Sequence, residues 1–285
     1  MFYNCIKMET APSLSATTLK ERCYMSMFRD CRAMKIPPKL PALTVPSLAY
    51  AYMFYSCIRL IKTPQLPATT FGQQCYASMF YNSSVLPDCT NIEFSNETAV
   101  RSGVMMELFS GTKVTDTDLE EILPKNQAGK YCLPVMNIGN AAYYSMFQNC
   151  GQLVTPPELP ATAVTPNCYE QMFNGCAKLE SAPALPATTL ARQCYYAMFQ
   201  ACNKLANAPE LPALTLASRC YMLMFNGCTS LSYIKALFTA EPGESYTQNW
   251  VNNVSASGTF VKNASAQWNV RGADGIPENW TIQTA

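Results

Sequence analysis

Apolar side chains recur along this chain with a long period. Met-Phe begins at Met1, Met27, Met53 and Met79, and again at Met146, Met172, Met198 and Met224, stepping by 26 within each set. One Leu or Met column runs through Met8, Met34, Leu60, Leu153, Leu179, Leu205 and Leu231, and a second through Leu14, Leu40, Leu66, Leu159, Leu185 and Leu211. Such phase agreement defines a repeat array, in which one unit cannot bury its own apolar face and neighbours must stack. Within a unit, Cys194, Met198 and Cys202 fall at i, i+4 and i+8, with Tyr195 and Phe199 beside them. That spacing predicts one face of a short helix. The stretch from Leu205 to Leu211 carries Pro209, which a helix interior resists, and reads as extended with its leucines inward. Leu-Pro-Ala-Thr-Thr, as at Leu185 to Thr189, then turns the chain back. The expected fold is an α/β repeat solenoid of leucine-rich-repeat type, with a short strand and a short helix per coil. At ~4.8 Å between neighbouring strands, about nine coils make a rod roughly 40–45 Å long.

The period divides the chain into residues 1–80, an N-terminal repeat block; 81–141, a divergent stretch keeping one degenerate copy at Leu108-Phe109-Ser110-Gly111; 142–237, a second repeat block; and 238–285, a C-terminal cap. The cap holds all three tryptophans, a Pro242-Gly243 turn and short β-type runs such as Thr259-Phe260-Val261. It reads as a small β-rich module with a core distinct from that of the repeats. Met1-Phe2 falls inside a unit, so either a preceding segment is missing from this chain or another molecule covers that end. This predicts self-association through that end.

Composition narrows the function classes. The 285 residues are 49% hydrophobic and 14% charged, enough apolar surface to fold. With a net charge of +1, nothing points to nucleic acid or an anionic membrane. No stretch approaches the ~18 apolar residues of a membrane span. No basic and then apolar leader opens the chain. There is no histidine, which removes the commonest general base, metal ligand and pH switch together.

The unit core Met-Phe-x-x-Cys-x-x-Leu, as in Met172-Phe173-Asn174-Gly175-Cys176-Ala177-Lys178-Leu179 and Met224-Phe225-Asn226-Gly227-Cys228-Thr229-Ser230-Leu231, resembles the BspA-like leucine-rich repeat surface proteins. The likeness covers roughly residues 1–237. It departs from the usual pattern in its Leu-Pro-Ala-Thr-Thr turns and its divergent middle. Asn249-Trp250, Gly258 to Lys262, Trp268 and Gly275 to Trp280 resemble C-terminal modules of repeat proteins from gut Bacteroidetes and their phages. The resemblance implies a cell-surface or extracellular adhesion module that binds a protein or glycan on a cell surface or matrix. The alternative is a phage virion component, either a receptor-binding or a capsid-associated protein. A glycan-processing enzyme is a distant third. No cofactor or metal is expected.

Most of the 14 cysteines belong to two columns, one before Tyr (Cys23, Cys75, Cys168, Cys194, Cys220) and one after Met-Phe (Cys5, Cys31, Cys57, Cys150, Cys176, Cys202, Cys228). A spacing of eight, as in Cys168 to Cys176, is no zinc pattern, so they read as buried thiols. Ala142 replaces one, as packing allows and a disulfide would not. Cys89 and Cys132 stand outside the columns and could pair. Leu66 to Thr70 and Leu185 to Thr189 miss a sortase signal by ending in Thr and lying in mid-chain. The acidic cluster Asp116, Asp118, Glu120 and Glu121 could suggest a glycosidase pair, but it opens what reads as a short helix, where acidic charge is favourable. What remains is the outward side of the extended segment, where framework columns stay fixed and side chains vary. Glu9, Lys35, Lys39, Gln65, Glu158, Glu180 and Glu210, with Ile61 and Val154, form the candidate binding face.

Overall fold

The computed structural model describes residues 1–83, 99–100, 103–123, 125–133 and 137–285. The chain returns to register every 26 residues over most of its length. Thr10 bridges Ile36, β1 (Thr44–Val45) pairs with β2 (Thr70–Phe71), Cys132 bridges Glu158 and Asn207 bridges Tyr233, all in parallel. β3 (Ala99–Val100) pairs with β4 (Asn137–Ile138), 38 residues on, and the longer pass contains the one helix among the described residues, α1 (Asp116–Ile122). β5 (Tyr233–Ala236), β6 (Thr259–Lys262) and β7 (Thr281–Thr284) form a parallel three-stranded sheet at the C-terminal end. Elsewhere the extended side stays at one or two residues per coil. The reason is proline: Pro38, Pro64, Pro157, Pro183 and Pro209 lie buried in it and supply no N–H to a ladder. Strict alternation fails too, since Asn207 is exposed at a position that should face in, and Ala206 and Ala208 are half-buried at positions that should face out.

The segment expected to be helical is a ribbon of consecutive tight turns. Three positions per coil, four residues apart, have left-handed φ: Arg22, Ser26 and Asp30; Leu48, Tyr52 and Ser56; Gln193, Ala197 and Ala201. Every second N–H closes a local turn, as in Met25 N→Arg22 O (3.2 Å) and Met27 N→Tyr24 O (3.1 Å). The alternate N–H groups reach the next coil, as in Tyr24 N→Ala49 O (3.1 Å), Ser26 N→Ala51 O (2.9 Å) and Phe28 N→Met53 O (3.0 Å). A left-handed φ at the third turn residue suits a type II turn. A helix would spend all these N–H groups within its own coil. The ribbon shares them with its neighbour, and its four-residue period puts Cys194, Met198 and Cys202 on one side just as a helix would. Non-glycine residues tolerate left-handed φ here, at ~1–2 kcal/mol each, because bonds within the coil and between coils both fix the backbone.

Aromatic rings stack along the interior of this ribbon. Phe2, Phe28, Phe54, Phe80, Phe109, Phe147, Phe173, Phe199 and Phe225 form one file with centroids 5.6–6.2 Å apart and interplanar angles of at most 12°. The file passes through Phe109 without a break, so residues 103–111 are a further ribbon rather than an interruption. A second file runs Tyr24, Tyr50 and Tyr76, then Tyr143, Tyr169, Tyr195 and Tyr221, with buried Met105 at the equivalent position between the runs. Offset stacking adds about 0.5–1.5 kcal/mol per pair beyond burial.

The C-terminal segment continues this core instead of owning a separate one. Phe225 N donates to Trp250 O (2.8 Å), Asn249 and Asn253 keep the left-handed φ, and Trp250, Trp268 and Trp280 join the same apolar cluster. Residues 270–280 then close the last ribbon. The Asp274 carboxylate accepts from Asn249 N (2.6 Å), Ala273 O accepts from Val251 N (3.2 Å), and Gly275 O takes the Trp250 indole N–H (2.8 Å). A Cβ on Gly258 would run into the Ser232 carbonyl of the preceding coil, so only glycine fits that approach. No helix among the described residues is long and apolar enough to cross a membrane.

Candidate functional site

Apart from Cys23, which is exposed, and Cys5, which is half-buried, in the first coils, the cysteine columns are interior, and one has a specific task. Cys57 Sγ donates to Phe28 O (3.2 Å), Cys176 to Phe147 O (3.1 Å), Cys202 to Phe173 O (3.1 Å) and Cys228 to Phe199 O (2.9 Å). Each of these carbonyls already accepts a turn N–H, for example Cys31 N→Phe28 O (3.1 Å), so the thiol fills its second lone pair. Ser83 occupies the same column and donates to Phe54 O (2.8 Å), and Thr112 stands there in the next ribbon. Burial pushes the Cys150, Cys168, Cys220 and Cys228 thiols up to about 12. They stay protonated, which suits a donor and not a nucleophile. Every described cysteine is reduced; Cys132 is half-buried and Cys89 lies outside the described residues.

The acidic cluster on α1 is engaged in holding the longer coil together. Asp116 accepts from Val154 N (2.8 Å) and Thr155 N (2.9 Å), tying the helix to the next extended segment. Asp118 forms a capping box with Thr115, and Glu120 lies 3.8 Å from Lys125. The Glu121 side chain lies outside the described residues. A groove of about 320 Å³ opens beside this insertion, lined by Glu120, Lys130, Tyr131, Thr155, Glu158 and Ser181. Tyr131 Oη donates to Thr155 O (2.6 Å), and burial raises its hydroxyl pKa. Among the described residues no group of three Cys, Asp or Glu side chains converges as a metal would need.

The candidate face falls in two groups separated by the middle coils. Glu9, Lys39 and Gln65 are exposed and Lys35 half-buried in the first block; Glu180 and Glu210 are exposed and Glu158 half-buried in the second. Its charges pair along the coil axis: Glu9 Oε2 with Lys35 Nζ (2.9 Å), Glu158 Oε1 with Lys130 Nζ (2.9 Å) and Glu210 Oε2 with Lys235 Nζ (3.1 Å). Lys35, with Arg59 nearby, holds the Glu9 carboxyl below the usual range. This face is therefore largely self-neutralised.

Two outward columns of the ribbon carry more distinctive chemistry, which the pattern of leucines and cysteines did not single out. The position after each core Phe holds Arg29, Tyr55 and Tyr81 in the first block, with the Arg29 guanidinium 4.3 Å from the Tyr55 ring centroid and Tyr55 stacked on Tyr81 at 4.7 Å. In the second block the same column is Gln148, Asn174, Gln200 and Asn226. There, Asn174 Nδ2 donates to Gln200 Oε1 (2.9 Å), and Gln148 Nε2 donates to Gln171 Oε1 (2.7 Å) in the neighbouring column. Reading the residue after Phe down the repeats would have found this division. Comparison with protein-family models, curated proteins and solved structures finds no match for this chain.

Proposed function

We propose that this chain is a repeat solenoid of leucine-rich type that acts as a non-enzymatic, surface-displayed recognition module, binding a protein or glycan outside the cell. The observation that carries this is the split between interior and exterior. The Phe, Tyr, Leu and Cys columns recur coil after coil, while the outward columns change character between the two blocks. A rigid scaffold with a variable exterior is how repeat proteins build extended binding surfaces. Against an enzymatic reading, the described acidic side chains of the α1 cluster are committed to backbone, capping or ion-pair contacts, and the buried thiols are held protonated.

The test is binding of the labelled, purified chain to intact gut bacterial cells and, in parallel, to immobilised mucin and matrix proteins. Saturable binding to mucin or matrix is the expected result. Binding to bacteria alone would replace the adhesin reading with that of a virion receptor-binding element. Binding to neither would leave the exterior as a merely solvated face.

A further inference from the structure

The repeat supplies its own control, because equivalent positions in different coils share one backbone and differ only in side chain. At the corner where the ribbon passes into the extended segment, the second and third coils present Arg32, Ile36, Ile58, Arg59, Ile61 and Lys62. The equivalent positions two coils into the second block are Ala177, Ser181, Asn203, Lys204, Ala206 and Asn207. Nothing in the fold demands the first set, since the second occupies the same geometry. Ile36, Ile58 and Ile61 are 44%, 43% and 50% exposed, although coils lie on both sides of them. Among the described residues, Leu214 alone of the exposed large hydrophobics lies beyond residue 61.

Charge follows the same division. Residues 1–80 carry nine Lys and Arg against three Asp and Glu, whereas the remaining residues carry eleven against sixteen. A near-neutral total conceals this. The corner is one continuous patch: Thr10 bridges Ile36, Ile61 N donates to Lys35 O (3.1 Å), and Arg59 lies close enough to Glu9 to act on its carboxyl. Glu9 pairs with Lys35, and Asp30 sits 3.8 Å from Arg32. Among the described residues, no carboxylate lies within ion-pair distance of Lys7, Arg59 or Lys62.

We infer that this corner of the first three coils is the docking surface for an acidic polypeptide segment that also carries apolar side chains. Clustered exposed apolar side chains mark interaction sites, and unneutralised cations beside them select an anionic partner and speed its capture. A polyanion without apolar groups, such as a nucleic acid, would meet the cations and leave three isoleucines wet. An acidic protein segment meets both, with isoleucines forming the dry centre and arginines the rim. The inference deepens the recognition reading by naming a partner class and a place.

The test uses the whole chain and three probes: a labelled peptide of Glu and Leu, a labelled poly-glutamate of equal length, and phosphatidylserine vesicles. The mixed peptide is expected to bind, more weakly as salt rises and about tenfold more tightly than poly-glutamate. The charge reversal R32E/R59E/K62E and the separate variant I58S/I61S should each lose about tenfold in affinity, while K178E/K204E should not. All these side chains are exposed, and thermal melts confirm that each variant folds. Equal binding of both peptides with no effect of I58S/I61S would overturn the inference in favour of plain electrostatics. Vesicle binding without peptide binding would overturn it in favour of a membrane. Salt-sensitive self-association lost in the charge reversal would overturn it in favour of a second copy of this chain. Failure of all three probes, with mucin or matrix still bound, would remove this docking surface and leave the broader recognition reading intact.

Discussion

Phe54 in the first repeat block and Phe173 in the second occupy one column. Both are fully buried, and each stacks at 5.7 and 5.8 Å on its two neighbours. The next residue out is Tyr55 in one and Asn174 in the other, the first stacked with Tyr81 under Arg29 and the second joined to Gln200 through an amide. One step along the backbone separates a position the fold dictates from one it leaves open. Stacking fixes the interior because any ring shifted by one coil must still meet its neighbours, whereas the outward column is half open to solvent and accepts either a ring stack or an amide pair.

The sharpest way to break this comparison is to remove one ring from each block. Phe54→Ala and Phe173→Ala should each cost about 3–5 kcal/mol in denaturant unfolding. Losses differing by more than about 2 kcal/mol would show that the two interiors are not equivalent. The thiol column comes next: Cys176→Ala should lose about 1 kcal/mol and Cys176→Ser under about 0.5, because serine keeps the donor to the Phe carbonyl as Ser83 does. Equal losses would mean that the thiol only fills space. Ala201 has left-handed φ between two coils that use Gly175 and Gly227 at the same place. Ala201→Gly should therefore gain about 0.5 kcal/mol, the relief of left-handed strain exceeding the entropy of the added glycine.

The smallest effect concerns Glu170, whose carboxyl burial raises above its ordinary range, with Asn167 and Arg192 opposing. A raised carboxyl pKa means that its contribution to stability is full below the unfolded value and falls as pH rises through the folded one. Glu170→Gln should accordingly raise the melting temperature slightly at pH 7 and leave it unchanged near pH 4. A gain that persists in acid would point to packing.

The 26-residue period, the Leu and Met-Phe columns and the buried thiols were legible in the sequence because burial constrains residue type at every coil. The ribbon was misread because Cys194, Met198 and Cys202 fit a helix and a four-residue turn repeat equally well. The discriminating signal lay three positions after the Met of each Met-Phe pair or its equivalent. Asn4, Asp30, Asn82, Gly111, Asn149, Gly175 and Gly227 are residue types that accept left-handed φ and do not favour a helix interior, with Ser56 and Ala201 as the two exceptions in that column. The candidate face was legible as exposed positions but not as ion pairs. Glu9 and Lys35 are 26 residues apart, and their meeting depends on the coil register rather than on local spacing. The basic corner was hidden by counting charge over the whole chain, which averages a cationic third against an acidic remainder.

The backbone hydrogen bonds between ribbons all run the same way, each coil donating to the one after it, while the thiol and hydroxyl bonds to the Phe carbonyls, as from Cys57 and Ser83, run back to the coil before. Coils joined so, if anchored at one end and gripping at the other, would feel a pull along the direction of stacking as a load on one coil-to-coil seam after another. Each seam that parts would release a full repeat of 26 residues, about 90 Å of extended chain. Stretching would then proceed in discrete steps, equal over most coils and longer at the 38-residue pass, and a tether of this kind would dissipate force without letting go of what it holds.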